Sequence, residues 1–327
     1  MKGSDFSIRT ILILSFILIA IIMTSISLVQ RYIWLDRHER DKITEDYMPI
    51  AESMGKIIEM TLIRRLTLLT QVSNEVIKTG MNPERMQSII ETAHFRNPDF
   101  KTFWIGDSSG RAIAFSPRFD RQGRPNIGRD YSDREYYRKV RDEKRPFIGE
   151  IIIGRVAGEA IIPLVVPVLK EGRFEGFVFG GLDPEVVRKI IRTIRIYGMG
   201  YLTVTDEKGK AIAMSNNPQF ERELKDLSST RIFKRAQQEK KGIVEYVSLV
   251  DGRLKIGAFY GLENGWKVWV SRDIREMKSD IMESFCGALI IGIAGLFLIS
   301  IFGYFLSLQI SLPIRRLKDN AIALSSG

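Results

Sequence analysis

Two stretches of the chain carry no charge, and the residues between them alternate between helical and strand-like spacing of apolar positions. The uncharged stretches are residues 11–29 and 284–314, the second with its densest apolar part at 285–306. At 1.5 Å per residue each is long enough to cross a bilayer. The first is longer than a signal-peptide core, and Gln30, Arg31 and Tyr32 after it are not a small-residue cleavage site. It therefore reads as an uncleaved span. For the second, the alternative is a buried core helix, and its length argues against that.

Between the spans, residues 36–78 contain one glycine, Gly55, and one proline, Pro49. Ile50, Met54, Ile57, Ile58, Leu68, Leu69, Val72 and Val76 recur at helical spacing, which predicts one long helix, kinked or restarted at Pro49. Thr79-Gly80-Met81-Asn82-Pro83 ends it, and a shorter helix covers 84–93. Strands are expected at 102–105 and 111–115. A loop rich in Gly, Pro and Arg then leads to Ser132-Asp133, the predicted N-cap of a helix over 134–143. Strands at 147–153, 160–168 and 174–179 follow, and Asp183-Pro184-Glu185 starts a helix to about residue 194. The rest repeats this plan in less space, with strands at 201–205, 211–214, 242–250, 254–260 and 267–271. A last helix begins near Ile274 and continues through the second span.

The repetition extends to residues. Asp107-Ser108-Ser109-Gly110-Arg111-Ala112-Ile113-Ala114-Phe115-Ser116 returns 99 residues later as Asp206-Glu207-Lys208-Gly209-Lys210-Ala211-Ile212-Ala213-Met214-Ser215. Each copy follows an apolar run, and its Gly supplies a tight turn, so both read as β-hairpins. Two further echoes keep the same order: Arg134-Glu135-Tyr136-Tyr137-Arg138 against Arg231-Ile232-Phe233-Lys234-Arg235, and Leu169-Lys170-Glu171-Gly172 against Leu262-Glu263-Asn264-Gly265. The fold class is α+β: two tandem units, each an antiparallel sheet with helices on one side.

Charge changes this picture in three ways. Lys2 and Arg9 precede the first span and Arg315, Arg316 and Lys318 follow the second, while the outer flanks mix both signs. Both termini are therefore expected in the cytoplasm and the repeat outside. The net charge of +10 raises nucleic acid as a partner, but that location and the interleaved acidic residues argue against it. Residues 121–145 hold nine Arg and Lys against five Asp and Glu, a run that is either a solvated face or a field drawing anions to a pocket. The single Cys286 lies in the second span, so no intramolecular disulfide forms. His38 and His94 are far apart and make no zinc set; His94 reads as a helix-end residue. No metal and no cofactor are implied. In the second span, Ala288 and Gly292 form a small-xxx-small pair that suits a dimer contact or is simply the usual glycine of membrane helices.

A membrane-bracketed pair of PAS-like units behind a long helix resembles the double Cache (dCache) sensor region of bacterial receptors. Asp130-Tyr131-Ser132-Asp133-Arg134-Glu135-Tyr136-Tyr137 resembles that family's pocket-helix motif, and residues 312–327, with Pro313 shortly after the span, resemble the opening of a HAMP relay. The resemblance implies a cytoplasmic N-terminus (1–10), a first span (11–30), a long helix (31–83), a membrane-distal unit (84–183), a linker helix and membrane-proximal unit (184–273), an exit helix and second span (274–309) and a relay (310–327). It places a small-molecule ligand in the distal unit, with Arg134, Tyr136 and Tyr137 at positions that hold a carboxylate; Trp104 and Arg155 are expected close by, Trp104 also as a core residue. A guanidinium fork suits a carboxylate, and tyrosine hydroxyls complete the anion's hydrogen bonds. One departure matters: the amino-acid-binding branch holds the ligand ammonium with an Asp where Gly181 stands here, and Arg129 replaces a Tyr. The expected ligand is thus an organic carboxylate or similar anion. The expected function is the input module of a homodimeric inner-membrane receptor, foremost a sensor histidine kinase. A chemoreceptor or diguanylate cyclase is the alternative. A membrane-anchored extracytoplasmic enzyme and a ligand-free dimerisation module remain as rivals of other classes.

Overall fold

The computed structural model describes residues 8–193 and 200–325. Helix α1 (Ile8–Lys42) carries the first uncharged run, and a π-helical turn (Ile43–Tyr47) separates it from α2 (Met48–Lys78). Pro49 lies in the first turn of α2, where N–H groups have no intrahelical partner, so it restarts the helix. Helix α3 (Pro83–Arg96) is capped by Asn82, whose side chain accepts from the Arg85 N–H at 3.1 Å.

The first sheet comprises β1 (Phe100–Asp107), β2 (Ala112–Ser116), β3 (Phe147–Ile148), β4 (Ile152–Ile153), β5 (Ala160–Lys170) and β6 (Arg173–Leu182). Its order is β2-β1-β6-β5-β3, with β4 also on β5 and every pairing antiparallel. Helix α4 (Glu135–Glu143) crosses between β2 and β3, and α5 (Glu185–Thr193) follows β6. The second sheet comprises β7 (Tyr201–Thr205), β8 (Ala211–Met214), β9 (Lys241–Val247), β10 (Leu254–Gly261) and β11 (Lys267–Asp273), with α6 (Pro218–Arg222) and α7 (Arg231–Gln238) between β8 and β9. Its order, β8-β7-β11-β10-β9, reproduces the first. The two sheets are separate, but residues 43–274 pack as one compact unit.

Helix α2 spans both sheets. Its apolar face, including Met54, Ile58, Leu62, Leu69 and Val72, is buried against β5, β6, β10 and β11. Gly55 marks its closest approach to the second sheet: a Cβ there would lie 2.4 Å from Tyr260 Cδ1. Ser73 donates to the Pro167 carbonyl at 2.8 Å and ties the other end of the helix to β5.

Three sequence expectations shift. Isolated bridges join Arg111 to Asp130 and Lys210 to Asp226, and the Tyr131 and Leu227 N–H groups donate to Gly110 and Gly209 O. Arg134 therefore corresponds to Thr230, each the N-cap of its helix, and the match of Arg134 with Arg231 is one residue out of register. The helix after Ser132-Asp133 begins at Glu135 with no side-chain cap, because the Asp133 carboxylate is held by Arg155 at 2.5 Å. The strand expected over 147–153 is broken into β3 and β4 at Gly149–Ile151, where the Ile151 N–H turns away from the ladder to Asp206.

The described parts of residues 1–42 and 275–327 form a second compact unit. Helix α8 (Ile274–Ser325) follows β11 without a break and runs past Pro313. Helices covering Leu14–Lys78 and Ile274–Phe305 are long and apolar enough to cross a membrane. Met23 is 65 % and Ile291 74 % exposed, as lipid-facing residues would be. Within this unit Tyr32 meets Phe285 edge-on at 5.9 Å, and a Cβ on Gly292 would lie 3.1 Å from Thr24 Cγ2. Gly292 thus serves close packing of α1 against α8 in one chain.

Candidate functional site

Four of the five expected site residues surround one cavity in the first unit. Trp104 on β1 and Phe179 on β6 face each other across the sheet register and form its floor. Trp104 is also core, stacked on Phe115 with ring centroids 5.6 Å apart and packed against Tyr131 at 4.4 Å. Arg134 and Tyr136 come from the start of α4, and the segment from Ile152 to Ala157, which carries Arg155, closes the top. The cavity measures about 20 Å3, room for a water or two, so any organic ligand requires that segment to lift.

Tyr137 does not join them. Its hydroxyl donates to the Ser108 carbonyl at 2.8 Å and its ring packs on Phe177, so it anchors α4 to the β1–β2 turn. Tyr131, which sequence reasoning passed over, takes its place in the lining. The bond from its N–H to Gly110 O turns its side chain inward, so the signal lay in the hairpin turn rather than in the helix motif.

The electrostatics are one-sided. Among the described residues, Arg134 and Arg155 line the cavity and no acidic side chain does. The Tyr131 hydroxyl and the Arg134 Nε are buried without a hydrogen-bond partner. A buried donor left unmade costs about 1–3 kcal/mol, a cost that a ligand accepting both bonds would offset. Burial pushes the Tyr131 phenol up against the pull of Arg129 and Arg155, and pushes Tyr136 up further, so both stay neutral donors. Arg155 is half committed elsewhere, donating to Asp130 O at 2.9 Å and to Asp133. Arg129, by contrast, is held outside the cavity by Asp120 at 2.6 Å.

Gly181 sits on β6 opposite Thr102 and Pro163. A Cβ there would lie 2.6 Å from Thr102 Oγ1 and 3.1 Å from Ile161 Cδ1, both cavity residues. A carboxylate at this position would enter the space that those side chains fill. An open groove of about 430 Å3 adjoins the cavity and shares Thr102, Val156 and Ala157 with it. Its cations are already neutralised: Lys101 bonds Glu159 and lies 3.3 Å from Asp183, and Arg121 also bonds Glu159. His94 is structural, its ring bridging Ser116 Oγ at 2.7 Å and Phe100 O at 2.8 Å at the end of α3.

The second unit reaches the site from outside. Asp206 Oδ2, fully buried in the β7–β8 turn, accepts the Ile151 N–H at 3.1 Å. Burial raises its pKa despite the N–H donors around it. Lys208 bridges Glu135 at 2.9 Å and Glu150 at 3.1 Å, and Lys210 reaches Glu150 at 3.2 Å. The turn therefore grips both the first residue of α4 and the segment leading to Ile152.

Several solved structures share this fold. The extracellular domain of rpHK1S-Z16, whose parent is named provisionally as a histidine kinase, aligns with a TM-score of 0.61 at 17 % identity, covering 70 % of this chain and 94 % of its own. The ligand-binding domain of the Pseudomonas fluorescens chemoreceptor CtaA, in complex with L-isoleucine, gives 0.58 at 19 %, covering 74 % and 97 %. That of the Pseudomonas aeruginosa amino acid chemoreceptor PctB, in complex with L-Gln, gives 0.57 at 21 %, covering 76 % and 98 %. At such identities the likeness is one of fold. No curated protein matches the chain. The family model described as the Cache domain matches residues 39–281, and the chain belongs to that family, dCache.

Proposed function

We propose that this chain is the input module of a two-span receptor that binds a small organic carboxylate in the first unit and passes the event to a cytoplasmic output, foremost a histidine kinase. One observation carries the ligand class. The cavity holds two guanidiniums, an orphaned guanidinium N–H and an orphaned phenol, with no acidic side chain among its lining. Arg134 is the counter-charge, Tyr131 and Tyr136 are hydrogen-bonding walls, and Trp104 and Phe179 hold the carbon skeleton. Arg155 is the closing residue, exchanging Asp133 for the ligand. That ion pair is 39 % and 59 % exposed on its two sides, so releasing it costs only about 0–1 kcal/mol. Amino acids, which CtaA and PctB bind, fit less well: with Gly181 on β6 an ammonium group has no carboxylate partner.

The rest of the assignment follows from chain order. Residues 11–30 and 274–309 span the membrane, 84–183 and 184–273 are the distal and proximal units outside it, and 1–10 and 310–327 lie in the cytoplasm. The receptor acts as a homodimer and uses no cofactor. Calorimetry of a carboxylate panel against the chain and its Arg134→Ala variant tests the ligand class. Loss of the charge-assisted contacts should weaken binding about ten- to a hundredfold, whereas Arg231→Ala should leave it unchanged. Tight binding of an amine that survives Arg134→Ala would refute the carboxylate reading.

A further inference from the structure

A second cavity, also about 20 Å3, lies in the second unit at topologically matching positions. Thr203 faces Trp269 there as Trp104 faces Phe179 in the first unit. Thr230 replaces Arg134 at the helix N-cap. Val165 pairs with Phe179 and Phe259 with Trp269, so Ile161 and Lys255, each four residues earlier, also correspond. The positive charge has moved: the helix end has lost its arginine, and the sheet has gained a lysine where the first unit has isoleucine.

Lys255 is an unusual choice for that place, because its side chain is only 3 % exposed. A buried ammonium is tolerated only when paired. Its partner is Asp251, 3.0 Å away, on the turn between β9 and β10, with the Tyr201 ring 4.5 Å from the ammonium. Hydroxyls gather on the same cavity: Tyr246 lies 3.0 Å from Ser271 Oγ, and Thr203, Thr230 and Ser248 line it as well. Asp251 is 31 % exposed and belongs to a turn closed by the Gly252 N–H to Ser248 O bond at 2.9 Å. A carboxylate thus already sits on the ammonium, supplied by a partly exposed turn.

We propose that the second unit holds its own site for a small carboxylate, in which the ligand replaces Asp251 on Lys255. Charge is conserved in the exchange: the ligand carboxylate takes the ammonium, and Asp251 returns to water. The same turn carries Arg253, which lies 3.2 Å from Asp273, the residue before α8. Displacing the turn therefore acts directly on the residue just before the exit helix. Ligand at this site and ligand at the first would be two inputs to one helix.

The test uses the full chain in nanodiscs with Arg134→Ala, which weakens the first pocket, and reads the changes made at Asp251 and Lys255, neither of which lines that pocket. Acetate and pyruvate are the probes, followed by calorimetry and by the shift in Tm. Asp251→Asn removes the internal competitor and should raise affinity for at least one probe by about tenfold or more. Adding Lys255→Met should abolish that binding. Because Asp251 lies on a half-exposed turn, Asp251→Asn is read even if Lys255→Met fails to fold. The proposal is overturned if Asp251→Asn leaves probe affinity unchanged, or if neither probe saturates the Asp251→Asn chain.

Discussion

Replacing Asp206 by alanine should cost more stability than the same change at Asp107, although the two residues hold the same place in the repeated turn. Both accept the N–H groups two and four residues on. For Asp107 these are Ser109 at 2.9 Å and Arg111 at 3.0 Å; for Asp206 they are Lys208 at 3.0 Å and Lys210 at 2.9 Å. That shared pair cancels in the comparison. Asp206 alone also accepts the Ile151 N–H, and Ile151 is fully buried, so alanine leaves an unpartnered donor in the interior. Such a donor costs about 1–3 kcal/mol. Part returns because a desolvated carboxyl is removed with it, and Asp107 loses a bond of its own from Ser109 Oγ at 2.6 Å. A net excess of about 1–2 kcal/mol remains, which for a unit of this size is roughly 2–8 °C in Tm. Thermal unfolding of the two variants, followed by tryptophan fluorescence, measures it. Equal losses of Tm at the two positions would show that the Ile151 contact contributes nothing and that the two units are not latched through this turn.

Three further outcomes are expected. The raised pKa of Asp206 means that the folded state binds its proton more tightly than the unfolded chain, so its contribution grows as pH falls through the raised folded value toward the ordinary 3.8. The Tm of the unmodified chain minus that of Asp206→Asn should therefore rise on acidification, and a flat difference would reject the buried-carboxyl account. A cysteine at Ser109 should react with an impermeant maleimide on whole cells and one at Ser326 should not, which the opposite labelling pattern would overturn. Inserting four residues after Ile274 should rotate α8 relative to β11 and uncouple output while leaving carboxylate binding intact; normal signalling by that variant would count against a mechanical relay.

Much of the fold was legible because the strongest signals are local. The two uncharged runs, the long helix restarting at Pro49 and the repeated D-x-x-G turns each follow from short-range spacing and appear where the sequence put them, although the break itself is the π-helical turn Ile43–Tyr47 just before Pro49. What failed did so through contacts distant in sequence. The strand over 147–153 obeys its apolar pattern until Ile151, whose N–H is claimed by Asp206, fifty-five residues on. Asp133 is a good cap by composition, but Arg155 takes its carboxylate. In the site, Arg134, Tyr136, Trp104 and Arg155 came together, whereas Tyr137, next to Tyr136 on α4, turns to Ser108 and Phe177, and Tyr131, ahead of the helix, lines the cavity instead. The one-residue error in aligning Arg134 with Arg231 has the same origin: the eye matches charge, while the backbone bonds of Tyr131 and Leu227 fix the register.

The two copies of the turn have diverged in what they hold. In the first unit Asp107 only closes its own hairpin at the surface. In the second the same residue is buried against the neighbour, with Lys208 and Lys210 beside it on Glu135 and Glu150. Those contacts fall on the two elements that a ligand must move, the start of α4 and the segment running into Ile152. The three lysine contacts are partly exposed and contribute about 0–1 kcal/mol each, while the buried bond to a charged acceptor is worth about 1.5–3 kcal/mol. A ligand can bias the equilibrium only by the difference it makes to such contacts. The buried bond alone is of the order that couples sites in allosteric proteins, about 1–3 kcal/mol. From the latch the path is short: Thr205, beside Asp206, pairs with Lys267 at the start of β11, and β11 ends at Asp273, one residue before α8 begins. A tighter, fully apolar junction would hold the units together better but would leave the ligand little to change.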